Sequence, residues 1–179
     1  MDIPTPVEPV DVLVEDRRWK AIDLRKLATR ALLAVRSELG LGASTPGFVV
    51  MASDDARLAE LNGVFRNRPI ATNILTWPAT DACPQVGGGP ASRHSAPPNG
   101  TGDEDWHWSG SLGDVALAFE TCESEAAMQG KSLDDHVTHL LIHGVLHLLG
   151  YRHDTDSEAG AMQAIEISAL AKLGISNPY

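Results

Sequence analysis

The sequence predicts a single α+β domain: one small, mostly parallel mixed sheet of about four strands, packed with helices. Three observations lead there. Short apolar runs and helical periodicities follow one another irregularly, without the even strand–helix repeat of a doubly wound fold. A chain of 179 residues suits one domain that can bury most of its potential surface without cross-links. The hydrophobic fraction of 43% and charged fraction of 21% are ordinary for globular proteins, which excludes a disordered chain, a collagen-like repeat and a membrane bundle.

Residues 10–15 alternate apolar and polar side chains, as a half-buried strand does. From 22 to 39, Ile22, Leu24, Leu27, Ala31, Leu32, Val35 and Leu39 recur at helical spacing, and Gly40 and Gly42 stop that helix. Residues 47–52 form a continuous apolar run, a second strand. Ser53 or Asp54 can cap the next helix, which carries Leu58, Leu61 and Phe65. Residues 72–77 read as a third strand ended by Pro78. The composition then changes. From 79 to about 110 the chain is rich in glycine and proline, with Trp106 and Trp108 at its far end. That stretch reads as a flexible insertion. Residues 112–119 form the fourth strand, and a short helix with Ala126 and Met128 follows, ending at Gly130. Ser132 and Asp135 form a capping pair for a long helix running to about Leu149. Thr155 or Asp156 caps a last helix through Ile165 and Leu170 to Leu173, whose Leu/Ile pattern reads as core.

Two cysteines, Cys83 and Cys122, cannot make a disulfide scaffold and lack a C-x-x-C spacing. Cys122 reads as a small buried hydrophobe. The first residues show no basic and apolar signal pattern, and no apolar run approaches the ~18 residues of a membrane span, so the expected home is the cytoplasm, with no membrane partner. The net charge of −10 argues against a nonspecific nucleic-acid binder. Half of the fourteen Lys and Arg residues nevertheless fall between 17 and 36; the plain reading of that cluster is the solvated face of a helix.

The chemistry concentrates between 143 and 154. His143 and His147 are four apart, which on a helix puts both imidazoles on one face. Gly150 can end the helix in a left-handed conformation and let the chain turn back to present His153 to the same point. Three neutral imidazoles with an open fourth position suit a catalytic metal, zinc best, with nickel, iron or another divalent ion as lesser candidates. This spacing is that of the metzincin pattern H-E-x-x-H-x-x-G-x-x-H, so the fold is expected to carry a zincin-like metal site. One position differs. Gly144 stands where a zinc protease has the Glu that takes a proton from the attacking water, and losing such a base costs on the order of 10²–10⁴ in rate. His136 and His139 share the helical face of the pair. His139 is a candidate to support a ligand, and Asp154 could orient His153 or cap the last helix. Asp114 reads as structural.

At this point the chain resembles the YbeY family of single-strand-specific endoribonucleases, whose hallmark H-G-x-L-H-L-x-G-Y-x-H fits residues 143–153 at every specified position. Residues 61–66, with Asn62, Phe65 and Arg66, and residues 72–78 are similar to the family's N-x-x-[YF]-R and T-[DN]-V-L-S-F-P stretches, and 112–117 to its L-G-D-I-x-I strand. Three departures stand out: Ile70-Ala71 replaces a usual Lys-Pro, Thr76-Trp77 replaces Ser-Phe, and the 79–110 stretch is longer than expected. The resemblance implies one domain over residues 1–179 and one Zn²⁺ per chain on His143, His147 and His153. It implies cleavage of single-stranded RNA in ribosomal RNA maturation, at the 16S 3′ end, and in ribosome quality control. The ribosome or small-subunit assembly factors would be partners, and DNA would not be a substrate. Arg66 matches the arginine that the family holds near its metal, and a guanidinium can grip phosphate oxygens with two parallel bonds. Two other readings stay open: another metal-dependent hydrolase, peptidases included, or a non-catalytic ribosome-binding factor with a structural metal.

Overall fold

A computed structural model describes residues 9–79 and 110–179. Four strands form one sheet in the order β1-β2-β4-β3: β1 (Val10–Val14), β2 (Phe48–Ser53), β3 (Ile74–Pro78) and β4 (Gly113–Ala118). β1, β2 and β4 are parallel, and β3 runs antiparallel to β4. This is the mostly parallel mixed sheet of an α+β domain. Five helices accompany it: α1 (Leu24–Leu39), α2 (Asp55–Arg66), α3 (Phe119–Met128), α4 (Leu133–Leu148) and α5 (Asp156–Lys172).

Alternation along the strands sorts the helices. Val115 and Leu117 of β4 face the main core with α1, α4 and α5, whereas Ala116 and Ala118 face a smaller core with Leu58 of α2 and Leu75 of β3. α4 is the central helix. Val137, Leu141, Ile142, Val145, Leu146 and Leu148 are all buried, so it is apolar around most of its circumference, as a helix covered on several sides must be.

The helix starts follow the expected chemistry. Asp54 caps α2 by accepting from Arg57 N at 2.8 Å. Thr155 caps α5 in a full capping box with Glu158. Ser132 caps α4 through Asp135 N at 3.1 Å, and the Asp135 carboxylate makes no return bond.

Four details depart from the sequence reading. A 3₁₀ turn at Arg17–Ala21 precedes α1 and buries Trp19, whose indole donates to the Ser53 carbonyl at 2.7 Å and meets Phe119 edge-on. Leu13 breaks the alternation of β1 and is exposed. The third strand begins at Ile74 and takes in Pro78 as its last paired residue, opposite Gly113, which an edge strand tolerates because no ladder donor is needed there. Phe65 and Met128 lie outside the core; Phe65 packs edge-on against Trp77 instead. The ends of the 79–110 insertion meet, Ala79 N donating to the Leu112 carbonyl at 3.0 Å. Residues 80–109, with Trp106, Trp108 and Cys83, lie outside the described residues.

The central place of α4 sets a stability contrast. Leu141→Ala should cost about 2–5 kcal/mol through the cavity it leaves. Met128→Ala, at a side chain 76% exposed, should stay within about 0.5 kcal/mol of the parent. Urea denaturation of both variants checks this, and equal losses would contradict a core centred on α4.

Candidate metal centre

One turn of α4 separates His143 from His147, and the helix then ends in a Schellman motif. Gly150 N donates to the His147 carbonyl and Tyr151 N to the Leu146 carbonyl, both at 2.9 Å. Gly150 has φ +92°, a conformation that a β-carbon would oppose, so glycine is required at this turn. The reversal has two consequences. The Tyr151 carbonyl faces back onto His147 Nδ1 at 2.8 Å, and His153 returns to the two helical imidazoles. Ring centroids stand 4.5 Å apart for His143–His147, 5.1 Å for His147–His153 and 5.6 Å for His143–His153. One ligand atom from each ring lies within 4.8 Å of the others, the one such His/Cys/Asp/Glu group among the described residues.

The tautomers follow from the hydrogen bonds. A carbonyl and a carboxylate can only accept, so His147 donates its Nδ1–H to Tyr151 and His143 donates its Nδ1–H to Glu166 Oε1 at 2.7 Å. Both Nε2 atoms then carry lone pairs, and they face each other at 3.0 Å. Two lone pairs at that separation repel unless a cation is shared between them. Two nitrogens on one tetrahedral zinc, each about 2.0–2.1 Å from the metal, stand roughly 3.3 Å apart. Burial, reinforced by His143 and His153, pushes His147 down to about 4, against the pull of the Tyr151 carbonyl. The imidazole is therefore neutral at physiological pH, as a ligand must be. The donor set fits a metal ion of the zinc type.

Sequence reasoning missed Glu166. It sits on α5 with no exposed surface, among Met162, Ala169 and Leu170 on the buried stripe. Burial opposes its charge, but hydrogen bonds from His139, His143 and Tyr179 outweigh that and hold the carboxyl down to about 2. The arrangement is a carboxylate–histidine pair behind a candidate metal ligand, a pairing that fixes the ring and raises its basicity. The signal was present in the sequence: an acidic residue on an apolar helical stripe.

The remaining candidates fall as follows. His139 reaches Glu166 Oε2 at 3.4 Å, so it supports the carboxylate rather than a ligand directly. Asp154 makes no hydrogen bond to His153, and the cap of α5 is Thr155. His136 is buried on Glu125 at 2.9 Å, and Cys122 is buried with its thiol pushed up by burial. Asp114 is exposed on β4, outside the cluster. Arg66 is the last residue of α2, exposed, with no hydrogen bond or ion pair to any described residue.

Gly144 has a packing reason of its own. A β-carbon there would meet Ile74 Cδ1 at 3.0 Å, with Thr76 Cγ2 and Val115 Cγ2 at 3.5 Å. α4 thus lies close against β3 and β4 at this residue. A glutamate at 144 would be driven into the sheet instead of reaching the cluster.

A family model described as endoribonuclease YbeY matches residues 11–174. Curated relatives carrying that name are similar over nearly the whole chain. One from Cereibacter sphaeroides is 49% identical, covering 97% of this chain and 100% of its own length. Another from Dinoroseobacter shibae is 46% identical, covering 95% and 90%. A third, from Paracoccus denitrificans, is 46% identical over 99% and 94%. The solution structure of a Thermotoga maritima protein shares the fold, with a TM-score of 0.52 at 18% identity, over 92% of this chain and 91% of the other.

The cluster makes a direct prediction about metal content. His147→Ala removes one of three donors and leaves the His143 lone pair facing empty space. If the three histidines hold a divalent ion, metal per chain, by elemental mass spectrometry after dialysis, should fall well below the parent's in this variant. A variant that keeps the metal at parental affinity would refute the assignment.

Proposed function

The chain belongs to the endoribonuclease YbeY family, and on that premise we propose that it is a zinc-dependent endoribonuclease that cuts single-stranded ribosomal RNA. The observation that carries this reading is the pairing of a three-histidine donor set with a glycine, tightly packed, where a peptidase would need its base. In this reading His143, His147 and His153 hold the ion, one per chain. When bound, it supplies Lewis-acid stabilisation of a phosphate oxygen and a water pKa lowered to about 7.

The chain's own residues supply the rest. The Tyr151 carbonyl and Glu166 fix two of the imidazoles with their Nε2 atoms inward. Arg66 is proposed to hold the phosphodiester. Its guanidinium is exposed and is bonded to no described side chain, so no internal ion pair competes for it. Arg66 can grip two phosphate oxygens at once and offset the charge that develops on them. The net charge of −10 repels RNA at long range. Recruitment by the ribosome or by small-subunit assembly factors in the cytoplasm therefore fits better than capture of free RNA by attraction. Maturation of the 16S 3′ end and ribosome quality control are the settings that this recruitment supports. No described helix is long and apolar enough to cross a membrane.

Cleavage assays on single-stranded RNA and on casein, with and without chelator, test the reading. Chelator-sensitive RNA cutting with casein intact is expected. Casein hydrolysis would favour a peptidase, and a zinc-loaded protein that cuts neither substrate would favour a binding factor. Arg66 separates chemistry from structure. Arg66→Ala should keep its zinc and melting temperature but lose cleavage by roughly 10²–10³, the usual effect of removing one preorganised charge contact. Arg66→Lys should restore little, because an ammonium cannot make the two-pronged contact. Parental cleavage by both variants would remove Arg66 from the active site.

A further inference from the structure

Glu166 has more donors than the orientation of one imidazole requires. Its Oε1 takes His143 Nδ1 at 2.7 Å, while Oε2 takes the Tyr179 hydroxyl and, at 3.4 Å, His139 Nε2. Tyr179 stands beyond α5, on a segment that is tied down locally. Gly174 N and Ile175 N donate to the Ala171 and Leu170 carbonyls, Ile175 packs on the main core, and Lys131 Nζ reaches the Pro178 carbonyl at 3.5 Å. The Tyr179 ring meets His139 edge-on at 5.7 Å.

Exposure makes this contact informative. Tyr179 is 59% exposed, so burial of its ring contributes little to the fold, and water could satisfy its hydroxyl. Yet the hydroxyl turns inward to a carboxylate that has no exposed surface. We propose that Tyr179 is a positioning residue of the metal centre: its hydroxyl holds Glu166 Oε2, which keeps Oε1 aimed at His143 and the His143 Nε2 lone pair aimed into the histidine cluster.

The competing donor is weak. His139 stands at the long limit for a hydrogen bond, and its ring is shared with the Tyr179 edge contact. Burial and the Glu166 charge both raise the Tyr179 phenol above its ordinary range, so it stays protonated and remains a donor. Without it, Oε2 is a buried acceptor short of its main partner, and a carboxylate in that position is free to rotate away from His143. Partners of this outer kind typically contribute 10–100-fold to metal affinity. The proposal rests on the three-histidine metal centre and is independent of the choice of RNA as substrate.

A double-mutant cycle on the full chain tests it. Tyr179→Phe keeps the ring and removes one oxygen. Glu166→Met removes both carboxylate oxygens at similar volume. Zinc affinity is read by competition with a chromophoric chelator, and the metal-free proteins are melted in parallel. Tyr179→Phe should weaken zinc binding by about tenfold, with the metal-free melting temperature near the parent's. In the Glu166→Met background the same change should do nothing, because the residue acts through the carboxylate. Parental zinc affinity in Tyr179→Phe would overturn the proposal, as would an equal loss in both backgrounds or early melting with unchanged affinity. A parent chain that binds no zinc would overturn it together with the metal centre, whereas a zinc-loaded parent that leaves RNA intact would count against the RNA reading alone.

Discussion

Three imidazoles can converge on one point only if the helix carrying two of them ends within a turn of the second. That constraint organises the site. His147 is the penultimate residue of α4, and the helix stops so soon after it because Gly150 takes a φ of +92°. The Schellman bonds that close the helix use the carbonyls of Leu146 and His147. The same turn presents the Tyr151 carbonyl to His147 Nδ1 and returns His153 to the cluster. Helix termination, tautomer choice and ligand delivery are thus one local event. A longer α4 would carry the third histidine away along the helix axis, at about 1.5 Å per residue.

The second support comes from a distant part of the chain. Glu166 lies 23 residues beyond His143 and meets it only because α5 packs along α4. A buried carboxylate is costly unless its oxygens are fully used, and here His143, His139 and Tyr179 use them. The core and the site are therefore the same object. Met162, Ala169 and Leu170 bury the face of α5 that also delivers the carboxylate.

Much of this was legible in the residues. Helix ends were readable because capping is local: Asp54, Ser132, Thr155 and Gly150 act within a few residues of themselves. The strands were readable from short apolar runs, and the histidine triad from its spacing. What escaped depends on contacts between remote segments. The Trp19 turn has no periodicity, and its burial comes from Ser53 and Phe119. Phe65 fits a helical stripe, but α2 meets the sheet over a small core and leaves that ring beside Trp77. Pro78 reads as a strand breaker until the strand is known to be an edge. Glu166 and Tyr179 became interpretable only when α5 was laid against α4.

Gly144 shows how one residue can serve packing and chemistry together. Contacts with Ile74, Thr76 and Val115 leave no room for a β-carbon without displacing a side chain of the sheet. α4 therefore sits lower on β3 and β4 than a helix with a glutamate there could. His143 precedes that close seat on the same helix and His147 follows it, and their partners are each other, His153, the Tyr151 carbonyl and Glu166. Both are half-buried, and His153 is exposed. The same glycine that seats the helix against β3 and β4 stands where a zinc protease carries its glutamate base, so the close packing and the missing base reside in one residue.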